Sequence, residues 1–561
     1  MGASFLSLPE ELQDHIISHL SRPTDLQKLY ITCKQIRQRV RPFLYRSIKV
    51  FVDDDNSDTR LLASDKIGQK HIKQLIFTIR KQVALELRDA RRTSLVSMSE
   101  EKRLIGLVLH ALPRDSLQQI IIPSGQQLDA VGIFSRQKSV RHMALGPLLL
   151  RGYKMAAIKQ WAPNLSSLVV PSYIESLRDL KYYGDIIRIS PRLEHLAIRS
   201  VVCMSMFESD PAPTCRGKSE HGALFERLLH ELETPLCLRS LRLYDQSLLH
   251  LGPKLATRID FEKLEALHMY KCVRQDSLFD TMAQLYRTSS IAVRLKVLVV
   301  HLHIEAIEDN TEPDTTAWAS LQSMLKSFNG LEALHLRFDV NPDQQAGASF
   351  DVRCLEGHTA TLKSLYIGLG SNEDWRDGHW RIPAEAAVKL FRDCKQLSEI
   401  SLAMPGIHLL SDILNDDRPY QMAIDTIAQL ASLRLLRILT WPLAFEEHNP
   451  YMCHVDAHAT NIVARFARAQ GGRPSLKILC IGDTLDNDQA MNVAREEWIM
   501  ISEPRCYVVG HQRDCYGRDE LAAIPVPIAE VKYLAPEFRG VAESGSGLSS
   551  GHLDCMDVPM W

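Results

Sequence analysis

A chain of 561 residues, 45% hydrophobic and 24% charged, has the composition of an ordinary folded protein, which excludes wholesale disorder. The 66 basic residues against 68 acidic ones leave a net charge of -2, so no overall field draws the chain to nucleic acid or an anionic membrane, and neither is expected as a partner. At roughly 150 residues per domain the length fits three or four domains, or one elongated repeat array whose units pack only on their neighbours.

The 12 cysteines carry no CxxC pair, which fits thiols in a reducing compartment better than a zinc ribbon or a disulfide framework. The first thirty residues lack an apolar signal core, and no apolar run of about 18 residues occurs, so the expected location is intracellular, cytoplasmic and/or nuclear. Leu6 stands where an N-myristoylation string needs Ser or Thr.

The first predicted element is a short helix with Pro9 at its first position, Glu10 and Glu11 at the positive end of the helix dipole, and Leu12, Ile16 and Leu20 as one apolar stripe. Thr24 and Gln27 fit a capping box for a second helix bearing Leu26, Leu29, Tyr30 and Cys33. A third helical turn carries Ile36 and Val40 and stops at Pro42. So small a trio is expected to leave its apolar side for a partner to cover.

The run Leu8-Pro9-Glu10-Glu11-Leu12, followed by Ile16-Ile17, Leu20, Asp25-Leu26, Leu29, Cys33-Lys34 and Pro42-Phe43-Leu44-Tyr45, resembles the F-box, and the ending Leu44-Tyr45-Arg46-Ser47-Ile48 is most similar to fungal members. Ile36 stands where the family often carries Trp. The resemblance implies docking onto a Skp-type adaptor of an SCF-type, cullin-RING ubiquitin ligase, with Leu8, Pro9, Ile16, Leu20, Leu26, Leu29, Cys33 and Ile36 facing the adaptor or the helical core beneath it.

Farther along, an apolar-x-x-apolar-x-apolar hexad recurs at 72–77, 117–122, 140–145, 165–170, 193–198, 238–243, 264–269, 295–300, 331–336, 362–367, 397–402, 433–438 and 476–481. Amphipathic helical stretches are predicted between many of them, at 223–232, 276–286, 318–328, 384–394, 422–433 and 457–469. Strand, helix, strand, many times over, builds a parallel coil. The pattern resembles a leucine-rich repeat over roughly 65–485, although the hexads are 23 to 45 residues apart and only Cys272 supplies the Asn or Cys that should follow them. An irregular curved array with large loops is therefore expected.

The predicted fold class is α/β: a small N-terminal three-helix F-box at 4–50, then an irregular leucine-rich-repeat-like solenoid at 65–485. A C-terminal capping region at 486–539 includes a helix near 490–501 and a strand near 506–509. A Gly- and Ser-rich stretch at 540–551 makes 540–561 a mostly disordered tail.

Side chains alternate along a strand, so the residue between the last two apolar positions of each hexad, and the one after the last, should face the open sheet. Those positions hold Arg199, Arg242, Arg337, Arg437, His268, His301, His335, Tyr244, Tyr270 and Tyr366, and no Asp or Glu. Arg242, Tyr244, His268, Tyr270, His301, His335, Arg337 and Tyr366 are expected to form one contiguous target-binding patch suited to an acidic or phosphorylated segment of a protein.

No catalytic constellation, cofactor site or metal site is expected. His454 and His458 are four apart, but a helix beginning near Ala457 would split them. The string Gly547-Leu548-Ser549-Ser550-Gly551 lacks the flanking strand and helix of a nucleophile elbow. The expected function is that of a non-catalytic substrate-recognition subunit of an SCF-type ligase. The alternative is a repeat scaffold or assembly factor that works outside a ligase.

Overall fold

The computed structural model describes residues 5–20, 23–51, 69–78, 105, 107–122, 136–145, 155–170, 173–174, 177–198, 202–203, 228–229, 232–244, 246, 248, 251–303, 316–339, 351–370, 384–402, 418–439, 452–482, 505–513, 518–527 and 530–531. The protein is mixed α/β and divides into two compact units between Leu238 and Arg239.

The first unit opens with α1 (Glu10–Ser18), α2 (Pro23–Thr32) and α3 (Lys34–Leu44). Pro9 stands one residue before α1, at φ -52° and ψ 149°, so its missing N–H removes nothing from the helix. Thr24 lies inside α2, so it is not the predicted cap. Cys33 caps α3, its Sγ accepting from the Ile36 N–H at 3.5 Å. That helix runs past the predicted stop because Pro42 falls in its last turn, where little helix is left to break.

Ile17, Leu26, Ile36 and Val40 are buried together, with Leu20, Leu29 and Cys33 packed against them. Arg39 of α3 holds α1 by pairing with Glu10 and, at 3.2 Å, with Asp14. The three helices thus close a core of their own, a correction to the expectation that their interior awaits a partner.

The chain then enters β1 (Ser47–Phe51) almost directly, and β1 pairs in parallel with β2 (Gln74–Thr78). Strands β3 (Gln119–Ile122), β4 (His142–Leu145) and β5 (Ser167–Val170) follow, and β7 (His195–Ile198) lies beside β5, each pair parallel. The short β6 (Tyr173–Ile174) pairs instead with β8 (Val202–Cys203). Helices α4 (Met155–Trp161) and α5 (Leu177–Arg188) belong to the same unit. Ile48 sits opposite Leu75 and Val50 opposite Phe77, so residues 45–50 form a further copy of the hexad, headed by Tyr45. One carbonyl heads each step of the ladder: Arg46 accepts from the Lys73 and Gln74 amides at 2.9 and 2.9 Å, and Lys73 in turn from Gln118 and Gln119 at 2.8 and 3.0 Å.

In the second unit strands and helices alternate in the order β9 (Ser240–Tyr244), α6 (Gly252–Ala256), β10 (Ala266–Cys272), α7 (Asp276–Thr288), β11 (Val297–His303), α8 (Thr316–Leu325) and β12 (Ala333–Asp339). They continue as β13 (Ser364–Gly370), α9 (Ala384–Asp393), β14 (Glu399–Leu402), α10 (Arg418–Ala428), β15 (Leu435–Ile438), α11 (Met452–Ala469) and β16 (Ile478–Ile481). All eight strands are parallel to their neighbours. β17 (Arg505–Arg513) and β18 (Asp519–Val526) then add two antiparallel strands at the end. The predicted strand near 506–509 is therefore present, whereas the helix near 490–501, the tail at 540–561 and most of 223–232 lie outside the described residues.

Every apolar residue of the thirteen predicted hexads is at most 6% exposed, with the side chain of Leu145 outside the described set, whereas Tyr45 and Ile48 of the added copy are partly buried. The helices contribute matching faces, such as Leu278, Phe279, Met282, Ala283 and Tyr286 of α7. The Asn position of the repeat is filled differently from the expectation. The Cys272 thiol reaches the Leu243 carbonyl at 3.6 Å, and two buried amides satisfy the strand exits. Gln246 donates to the Tyr244 carbonyl at 2.8 Å, and Gln275 donates to those of Cys272 and His301 at 2.6 and 3.1 Å.

Between β12 and β13 a 3-10 segment (Val352–His358) stands in for a helix. Its His358 is buried, accepting from the Leu331 N–H at 3.2 Å and donating from Nε2 to the Leu325 carbonyl at 3.0 Å.

Helix spacing depends on one glycine. A Cβ on Gly252 would lie 2.1 Å from the Ser277 carbonyl oxygen, a backbone atom of the next helix. Gly252→Ala must therefore push α6 from α7 and is expected to destabilise the second unit by about 2 kcal/mol in urea unfolding. Unchanged stability would show that the two helices slide without cost.

Candidate functional site

Two surfaces answer to the sequence expectations. On the N-terminal helices Leu26 and Ile36 are buried in the helical core, and Leu8, Leu20, Leu29 and Cys33 are partly buried. Gln13, also buried, donates to the Leu8 carbonyl at 2.7 Å and pins the turn before α1. Pro9 is exposed, as is Ile16 at 43%. The large aliphatic side chains left exposed in this region are Leu6, Leu12, Ile16 and Ile31, at 40, 49, 43 and 72%. The predicted stripe Leu12–Ile16–Leu20 is therefore corrected: Ile17 turns inward, and Leu12 and Ile16 turn out.

The second surface is a sheet face of the second unit. Register pairs Arg242 with His268, His268 with Val299, Val299 with His335 and His335 with Tyr366. One step along the strands, Tyr244 is opposite Tyr270, and His301 is opposite Arg337, which is opposite Gly368. All eight residues expected to form the patch thus lie on consecutive strands.

Their rings touch: Tyr244 stacks on Tyr270 at 4.8 Å between centroids, and Tyr270 meets His301 edge-on at 5.0 Å. His268 Nδ1 lies 3.2 Å from the Tyr270 hydroxyl. The Tyr366 ring lies over Gly368, where a Cβ would come within 2.6 Å of its hydroxyl.

Two features correct the expectation of an open, acid-free face. His301, Arg337 and Tyr366 are buried, whereas Arg242, Tyr244, His268, Tyr270 and His335 keep part of their surface in solvent. The row one step before Arg242 and His268 belongs to the same face, and it carries Glu399. Ser364 donates to Glu399 at 3.1 Å, so it accepts from His335, whose Nε2 is 3.0 Å away. Ser364, Glu399 and Gly368 are contributors that the sequence reading missed. The adjoining strands point to the first two, since Ser364 and Glu399 occupy matching hexad positions.

Burial holds His335 down to about 4. His268 is pushed well below its ordinary value by burial, then by the neighbouring Arg242 and His335. At neutral pH both imidazoles are uncharged, and the guanidinium groups of Arg242 and Arg337 carry positive charge. The face offers guanidinium donors, hydroxyls and planar rings, a chemistry that suits hydrogen-bond acceptors and extended peptide.

Past β14 the same face carries Arg437 beside Leu435 and Ile478, which pack with Val531 from beyond the last strand. Asp456 of α11 accepts from Arg505 Nε at 2.7 Å and Nη2 at 3.0 Å, and from the Tyr507 hydroxyl at 2.8 Å, fastening β17 to the last helix. Because α11 starts at Met452, His454 and His458 do share a helix, contrary to the predicted split. His458 is engaged by the Tyr420 hydroxyl at 3.0 Å. Among the described residues no group of three or more His, Cys, Asp or Glu is placed to hold a metal, and no helix is long and apolar enough to cross a membrane. No protein-family model matches the chain, and no curated protein does.

Proposed function

We propose that this chain is a substrate-recognition subunit of an SCF-type, cullin-RING ubiquitin ligase. Its N-terminal helices, read as an F-box, dock on a Skp-type adaptor, and the second unit, read as a leucine-rich-repeat-like array, holds a target protein. The observation that carries this reading is that Leu12 and Ile16, four residues apart on α1, stay exposed, as do Leu6 and Ile31, although the helical trio has already closed a core of its own. A mere end cap for the array has no use for exposed leucines and isoleucines, whereas an adaptor-binding module needs them. The Leu8-Pro9 start and the Leu44-Tyr45-Arg46-Ser47 ending add the resemblance. The subunit is read as non-catalytic: it raises the effective concentration of a target beside a charged enzyme.

The experiment is affinity purification of the full chain. Deleting residues 1–50 is a poor control, because Ser47–Phe51 is a strand of the sheet and its loss would bare the edge of β2. Point variants avoid this. The wild type is expected to retain a Skp-type adaptor, a cullin and a set of target proteins. On the sheet face Arg337 is buried, so the charge is best reversed at Arg242. Arg242→Glu is expected to weaken retention of the targets roughly tenfold or more while leaving the adaptor bound. Equal retention of targets would remove this face from recognition. An adaptor retained without any change in target ubiquitination would favour the scaffold reading.

A further inference from the structure

Two thiols meet where the parallel sheet ends. Cys480 of β16 and Cys506 of β17 are register partners, with their Sγ atoms 3.2 Å apart and both residues buried. The neighbouring pairing decides what that contact means. The Val509 N–H donates to the Lys477 carbonyl at 2.9 Å, so Lys477 and Val509 form a hydrogen-bonded pair of the antiparallel ladder. Pairs alternate along such a ladder, and three steps on, Cys480 and Cys506 form a non-hydrogen-bonded pair, the kind whose Cα atoms approach to about 4.5 Å and whose side chains are nearest. That spacing lies within the roughly 4.4–6.8 Å a disulfide spans.

We propose that Cys480 and Cys506 are a disulfide-forming pair, oxidised by a peroxide, whose bond ties the terminal hairpin covalently to the last parallel strand. The Cys480 thiolate attacks the peroxide O–O bond, giving a sulfenic acid and hydroxide. Cys506 then attacks that sulfur, the S–S bond forms, and the sulfenic oxygen leaves as water. In sum two thiols and one hydrogen peroxide become one disulfide and two waters, each sulfur losing one electron and each peroxide oxygen gaining one.

Cys480 is assigned the first step because it is the more exposed of the two and is the register partner of Arg437. The hydrogen bond to Cys506, then burial, holds the Cys480 thiol well above its ordinary range, while Arg437 pulls the other way. The resting pair is therefore a dithiol that reacts slowly. The peroxide reaches it by opening of the hairpin, whose far end is exposed at His511, Gln512 and Arg513. The inference does not depend on what the array binds.

The test treats the full chain with hydrogen peroxide and maps disulfides by mass spectrometry without reduction. The expected result is a peptide pair joined through Cys480 and Cys506, lighter by two hydrogens, and hydrogen exchange at the amides of residues 506–509 slowed roughly tenfold or more. In Cys506→Ala a dimedone adduct should collect at Cys480. In Cys480→Ala no adduct should form at Cys506. The proposal is overturned if exposed Cys237 is oxidised while the pair stays reduced, if the bond forms without slowing exchange, or if Cys506 carries the adduct when Cys480 is absent. The wild-type measurements stand even if either variant folds poorly.

Discussion

Leu12→Asp combined with Ile16→Asp is expected to lower affinity for a Skp-type adaptor by at least a hundredfold and to leave the N-terminal helices folded. Burying two aliphatic side chains at an interface contributes about 1.5–3 kcal/mol each, and each 1.4 kcal/mol is a factor of ten. Both residues are half-exposed in this chain, so polar replacements there should change stability by no more than about 0.5 kcal/mol. Ile17 is the control, since it is fully buried against Leu26, Ile36 and Val40 one position along the same helix. Ile17→Asp places an unpaired carboxylate in that core, and its cost, about 4 kcal/mol or more, exceeds what so small a unit holds in reserve. Calorimetric titration with purified adaptor, alongside hydrogen exchange of the helix amides, separates the two outcomes. An Asp pair that binds like the wild type would mean that this aliphatic surface is not the docking face. Leu26 and Ile36 act differently from the exposed pair: substitutions there should weaken binding only by loosening the helices that present it.

The hexads were legible because burial acts on them one strand at a time. An apolar residue at each of three positions, with strand alternation between the last two, is a local signal, and almost every such residue proves to be in the core. The copy at 45–50 is hard to see in the sequence because Tyr45 heads it and its strand falls within 4–50, the stretch read as an F-box. The orientation of α1 was not legible at all. Leu12, Ile16, Ile17 and Leu20 permit two stripes, and only the approach of Ile36 and Val40 from α3 selects the one through Ile17. For the sheet face, alternation placed the eight residues on the correct side and in contact. It could not report that Arg337 and Tyr366 are buried, because alternation gives the side a residue faces and not its depth. The same limit hid Gln246 and Gln275, whose amides do the work expected of Asn but project from positions that a repeat signature does not include.

Acid should weaken the second unit in a window that three imidazoles define, His358 buried and His268 and His335 partly so. His335 is held down to about 4, His268 well below its ordinary value, and His358 is lowered by burial despite its bond to the Leu325 carbonyl. The cause is the same for all three, since charge is costly where water is excluded. Each folded value lies below the unfolded value of about 6.5, so on acidification the unfolded chain takes up protons that the native unit refuses. Stability is therefore little affected by these groups above about pH 6.5 and falls as the pH drops toward the folded values, by at most about 1.4 kcal/mol per pH unit for each imidazole. His268 faces Arg242 and His335, and Ser364 separates His335 from Glu399. At His358 a second ring proton would point at the Leu331 N–H that Nδ1 now accepts. Glutamine can supply the same acceptor and donor without titrating, so His335→Gln should lower the pH slope of urea unfolding between roughly pH 6.5 and 5 by about 1 kcal/mol per pH unit, and adding His358→Gln should lower it further. Parallel loss of stability in the wild type and the double variant would show that these rings titrate alike in both states. The neutrality of the rings also bears on recognition: an anionic target would be met first by Arg242, and its hold should tighten on mild acidification only as a bound anion draws protons onto His268 and His335.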